Sequence, residues 1–173
     1  MTVAELNALD LEPFAAAIGW VFEDSPWVSE RVWPVRPFSS LEALHRAMVR
    51  QVEAAQPEEQ LALLRAHPDL GTRARLSDAS TAEQSGAGLD RLTPEEFDRL
   101  HRLNSAYRAK FGFPFLFAVR GSTKHDILEA LERRGESVPE EEFREALRQV
   151  YRIVDLRLRD ILEDEPGDRE TPG

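Results

Sequence analysis

His67 stands directly before Pro68-Asp69-Leu70-Gly71 and is the side chain in this sequence best suited to move a proton near neutral pH. A proline pushes its predecessor out of the helical region, so a helix arriving at His67 must stop there. The break would project the imidazole from a fixed backbone. The alternative is that His67 interacts only with the carbonyl end of its own helix. His45, His101 and His125 fall inside helical patterns among charged neighbours and read as solvated side chains.

Two further clusters could serve such a group. In Ser80-Thr81-Ala82-Glu83-Gln84, Ser80 and Glu83 have the spacing of a capping box. Equally, Glu83, Gln84 and the open N–H groups of a helix start would make a polar cradle that tolerates an anion. The Phe-rich run from residue 111 to 121 holds Phe115, Leu116, Phe117, Ala118 and Val119 in a pattern that looks extended yet has no partner strand. Its side chains suit a core, while its backbone groups need partners that a flat, amide-rich heterocycle could supply. Arg120, at its end, could grip a carboxylate with two bonds or close an internal ion pair.

Other chemistries lack their residues. No HxH, HxxxH or HExxH spacing occurs, so no metal site is expected. Neither a phosphate-binding glycine loop nor a Gly-x-Ser-x-Gly elbow is present. With no cysteine there is no thiolate nucleophile and no disulfide framework, which suits a cytoplasmic setting. The net charge of −10, without a basic cluster, argues against nucleic acid. The first eleven residues lack the features of a secretory signal, no apolar run reaches membrane length, and Thr-Pro-Gly at the end is not a peroxisomal address.

The elements that must position these residues read as helices. Ser39 or Ser40 caps a stretch with Leu41, Leu44, Met48 and Val52 inward, and a second helix runs from Pro57 to about Ala66 with Leu61 and Leu64 inward. Thr93-Pro94-Glu95-Glu96 opens a helix with Phe97, Leu100, Leu103, Tyr107 and Phe111 on one stripe and Gly112 as its stop. Ser122 opens the next helix and Ser137-Val138-Pro139 the last. Residues 11–21 are also helical, while Ser25-Pro26-Trp27 and the segment from Trp33 to Pro37 are turns or extended connections. The expected fold is all-α: one irregular helical bundle over residues 1–163 with a single extended Phe-rich crossing, followed by an acidic disordered tail, 164–173.

Ser25-Pro26-Trp27-Val28, Arg36-Pro37-Phe38, the His67 to Gly71 string, the segment from Ser80 to Leu89, and the run from Leu103 to Phe115 occur in an order that strongly resembles the 2-oxo-4-hydroxy-4-carboxy-5-ureidoimidazoline (OHCU) decarboxylases. The resemblance extends from about Leu11 to Leu162. It implies an all-α enzyme without cofactor or metal, frequently a homodimer, that releases CO2 and yields (S)-allantoin in urate breakdown. A member carrying a second hydrolase domain would be longer, so only the decarboxylation is expected of this chain. By motif match, His67 and Glu83 would be catalytic and Pro68 a neighbour in the pocket. Ser80, Thr81, Ala82 and Gln84 would belong to a loop that holds the substrate, and Phe115 to Val119 would bind its ring through backbone atoms. Arg120 is a further candidate. Two rival readings are an enzyme acting on a related ureido or imidazole acid, and a non-catalytic helical binding module.

Overall fold

The computed structural model describes residues 1–72 and 76–163, so the expected tail at 164–173 lies outside the described residues. The described chain is built from helices and irregular crossings, its one strand-like contact being an isolated bridge between Thr2 and Glu163. The all-α expectation therefore stands, and the chain resolves into two compact units.

One unit comprises residues 1–63 together with the chain from Tyr151 onward. It holds α1 (Val3–Asn7), α2 (Leu11–Ile18), α3 (Trp27–Val32), α4 (Leu41–Glu53), most of α5 (Pro57–Arg65) and the second half of α9 (Pro139–Ile161). Ser40 caps α4 by accepting from Ala43 N–H, and Leu44, Met48 and Val52 are fully buried. The sequence reading missed α1 and α3, each too short for a periodic stripe. Pro26, read as part of a turn, is the N-cap of α3. His45, read as solvated, is half-buried and its Nε2 donates to the Tyr151 carbonyl at 2.8 Å. Arg157 and Glu23 form a buried ion pair at 3.0 Å that no local pattern announced.

The other unit is Leu64–Val150, with α6 (Asp78–Gly86), α7 (Pro94–Phe111), α8 (Lys124–Arg134) and the first half of α9. Thr93 and Glu96 close the expected capping box on α7, and Gly112 ends it at φ +80°. The α8 cap is Thr123 rather than Ser122, because Asp126 three residues on completes a box with Thr123. In α5 the fully buried side chains are Leu63 and Leu64, while Leu61 is half-buried. Residues 113–119 form the expected crossing, outside any helix or strand and buried except for a half-buried Phe117. Among the described residues, no helix is long and apolar enough to cross a membrane.

Candidate active site

All the residues singled out as site candidates lie in the Leu64–Val150 unit. The backbone leaves α5 at Arg65, and His67, two residues on, keeps a last bond from its N–H to the Leu64 carbonyl at 3.2 Å. The chain then folds back in a tight turn, Thr72 N–H donating to Asp69 C=O at 3.3 Å, with Gly71 at φ +70°. A Cβ at Gly71 would overlap the Leu100 side chain, so space and conformation both demand glycine. His67 is 7% exposed, and Pro68 and Asp69 are half-buried.

Helix α7 holds this turn along one stripe. Leu100 packs against Gly71, Asn104 Nδ2 donates to Leu70 C=O at 3.0 Å, and Arg108 reaches Asp69 at 3.1 Å. These residues are four apart, the spacing that stacks side chains on one helical face, and they meet positions 71, 70 and 69 in reverse order. The sequence reading placed Leu100 inward and missed Asn104 and Arg108. The available signal was position: Asn104 lies among Leu100, Leu103 and Tyr107 on the buried stripe.

Residues 80–84, expected as a loop, are helical. The N-cap of α6 is Ser77, whose hydroxyl accepts from Ser80 N–H, so Ser80 and Glu83 do not form a capping box and Glu83 and Gln84 stand beyond the first turn. The cradle of free N–H groups at Glu83 and Gln84 is likewise excluded, since the helix start lies three residues earlier. Ser80 and Gln84 are buried on one face with the half-buried Glu83 beside them, and Thr81 and Ala82 are exposed. Gln84 Oε1 accepts from Gly71 N–H at 2.9 Å, which joins α6 to the His67 turn.

The crossing obtains part of its missing backbone partners from side chains. Arg134 Nη1 donates to Leu116 C=O at 2.5 Å, and Gln149 Oε1 accepts from Ala118 N–H at 2.9 Å. Arg134 also stacks over Phe115, 4.6 Å from the ring centre, and pairs with Glu142 at 2.7 Å from its Nε. Tyr107 donates its hydroxyl to the same carboxylate oxygen at 2.5 Å. Burial, and then that bond to Glu142, push the phenol pKa far up, so Tyr107 keeps its proton. Phe115 and Phe117 stack at 5.8 Å and 14°, the same-side placement of alternate residues in extended chain. Arg120 lies past the crossing, exposed, before Gly121 at φ +81°.

A depression of about 520 Å³ borders Gly71 and Thr72 and is walled by Leu92, Phe97 and the carboxylates Asp90 and Asp98. Among the described residues, no three His, Asp or Glu side chains gather as metal ligands would. The arrangement joins a buried imidazole on a braced turn to a helix face with Ser80, Glu83 and Gln84, and the braced apolar crossing belongs to the same unit. Such a set suits proton transfer on a neutral or anionic heterocycle.

The family model for OHCU decarboxylases matches residues 7–159. The chain belongs to the OHCU decarboxylase family. A relative from Halalkalicoccus jeotgali, named 2-oxo-4-hydroxy-4-carboxy-5-ureidoimidazoline decarboxylase, is 45% identical over 98% of this chain and 97% of its own length. A crystal structure of (S)-allantoin synthase superposes with a TM-score of 0.78 at 34% identity, over 94% of this chain and 54% of that one. A crystal structure of OHCU decarboxylase in the presence of (S)-allantoin superposes with a TM-score of 0.68 at 26% identity, over 81% of this chain and 93% of that one. The sequence-based assignment to this family is thereby borne out.

Proposed function

We propose that this protein is a carboxy-lyase that removes CO2 from 2-oxo-4-hydroxy-4-carboxy-5-ureidoimidazoline and yields (S)-allantoin in urate breakdown, with His67 and Glu83 as its catalytic residues. The family match from residue 7 to 159 carries the reading, because it takes in the His67 turn, α6 and the crossing together. The reading assigns the reaction to residues 1–163 of a cytoplasmic homodimer working without metal or organic cofactor.

The substrate carries its own electron sink. As the C4–carboxylate bond breaks, its electron pair forms a C4=C5 double bond, and the C5=N electrons move onto the ring nitrogen, which takes a proton. The 4-hydroxyl then loses its proton to become the carbonyl, while C5 receives one on a single face. The protein has to set the carboxylate perpendicular to the ring, stabilise the developing charge and control that proton. His67 takes the hydroxyl proton or delivers the one to carbon. Glu83 orients His67 or binds the ureido N–H groups. Ser80 offers its hydroxyl. Gln84, whose Oε1 is engaged by Gly71, offers its amide Nε2 to the ring. The crossing, Phe115 to Val119, binds the ring through backbone groups, and Pro68 and Arg120 flank it.

The test is a circular-dichroism time course on substrate generated freshly from urate by the two preceding steps. Faster appearance of optically active (S)-allantoin with the protein than without it supports the assignment. Racemic product at the spontaneous rate overturns it, and turnover of a related ureido acid instead would redirect it.

A further inference from the structure

The Leu70–Gly71 peptide is gripped on both of its polar groups by buried amides. Asn104 Nδ2 donates to its carbonyl at 3.0 Å, and its N–H donates to Gln84 Oε1 at 2.9 Å. This is the middle peptide of the turn closed by Thr72 on Asp69. The middle peptide is the group whose orientation reverses between the two common turn types, and a positive φ at the third residue marks the reversed form. Gly71, at φ +70°, has that conformation.

Asn104 is an unusual choice for packing alone. It is 4% exposed, and its Oδ1 finds no hydrogen-bond partner among the described residues. A half-satisfied buried amide costs stability that an apolar side chain of similar size avoids. What Asn104 supplies in return is the donor to Leu70. Only Pro68 and Asp69 separate His67 from the gripped peptide, and the proline ring fixes one of their torsions. On its other side His67 is tied to Leu64 by its N–H. Little freedom is left to the backbone beneath the imidazole.

We infer that Asn104 is a positioning residue: with Gln84 it locks the orientation of the Leu70–Gly71 peptide and so sets the direction of the His67 imidazole. The inference rests on the reading of His67 as the proton-transfer group. Asn104 itself touches the turn and is assigned no contact with substrate.

Two variants test it. Asn104→Leu deletes the donor and the orphaned acceptor together. Asn104→Asp keeps the shape and regains a donor only when its carboxyl is protonated, a form that burial beside a carbonyl oxygen favours. Asn104→Leu should keep the helical spectrum of the parent and lose kcat on the order of 10- to 100-fold, with KM altered by less than about 3-fold. The activity of Asn104→Asp, taken relative to the parent at each pH, should climb as pH falls, while the same ratio for Asn104→Leu stays flat. A folded Asn104→Leu protein with kcat within about 2-fold of the parent, or a flat ratio for Asn104→Asp, overturns the inference. If Asn104→Leu does not fold, Asn104→Asp decides alone. A readout free of turnover separates this inference from the proposed function. In NMR spectra at neutral pH the Gly71 amide should exchange on the order of 10-fold faster in the variants, and the His67 ring nitrogen resonances should move. Unchanged exchange and unmoved resonances sink the lock even in a protein whose parent form turns nothing over.

Discussion

Residues 67–71 are held on their buried side by neutral amides and a glycine, whereas residues 113–119 are held by a buried charge beside one neutral amide, Gln149. At the turn, Asn104 and Gln84 fix one peptide without adding a formal charge, and the Arg108–Asp69 pair sits at the exposed side. At the crossing, the guanidinium of Arg134 binds a backbone carbonyl directly, and Glu142, supported by Tyr107, neutralises it. With His67 as the proposed proton-transfer group, a full charge buried beside it would bias its protonation strongly, whereas an amide braces the backbone with a weaker field. On the proposed function, the crossing offers backbone N–H and C=O groups to a ring, has no proton affinity to protect, and needs rigidity first.

The comparison makes predictions of descending size. Arg134→Met should be the most damaging change, since it leaves Glu142 buried without its cation. Breaking one side of such a pair costs about 3–5 kcal/mol, to be read from urea unfolding. Gly71→Ala should cost about 2–3 kcal/mol, because the left-handed backbone is strained and the added methyl overlaps Leu100. Gly112→Ala shares nearly the same φ, but its methyl would meet only Arg65 Nη2 at 3.6 Å, so about 1 kcal/mol is expected. Equal losses at the two glycines would remove the claim that the His67 turn is sterically specified.

The smallest effect concerns acid stability away from both segments. The bond from Lys124, followed by that from Thr93 N–H, lowers the Glu96 carboxyl from 4.5 to about 2. A carboxyl depressed by folding contributes stability that is present above its unfolded value and is lost as pH falls toward its folded one. The loss should therefore run from about pH 4.5 down to about pH 2. Lys124→Met should flatten that limb in a series of urea midpoints, while the steps caused by Thr93 persist.

Local chemistry was legible in the sequence, and distant bracing was not. Pro68 and Gly71 act on their immediate neighbours, so the stop after α5 and the sharp turn at His67 could be read directly. The crossing was visible for the same reason, as apolar extended chain without a partner. Its actual braces, Arg134 and Gln149, come from other helices and carry no mark in the run itself. Ser80 and Glu83 imitated a cap because Ser77, three residues earlier, competes for the same role with Asp78 in a favourable first turn. Asn104 was passed over because an asparagine within a charged helix reads as surface until the stripe beneath it is counted.

The most direct measurement compares the parent protein and His67→Asn in the circular-dichroism assay on fresh substrate. The parent should accelerate formation of (S)-allantoin, and His67→Asn, with an unchanged helical spectrum, should lose on the order of 10²- to 10⁴-fold of that acceleration. A His67→Asn protein that forms (S)-allantoin at the parent's rate would contradict the account, since the braced turn would then position a residue the reaction does not use.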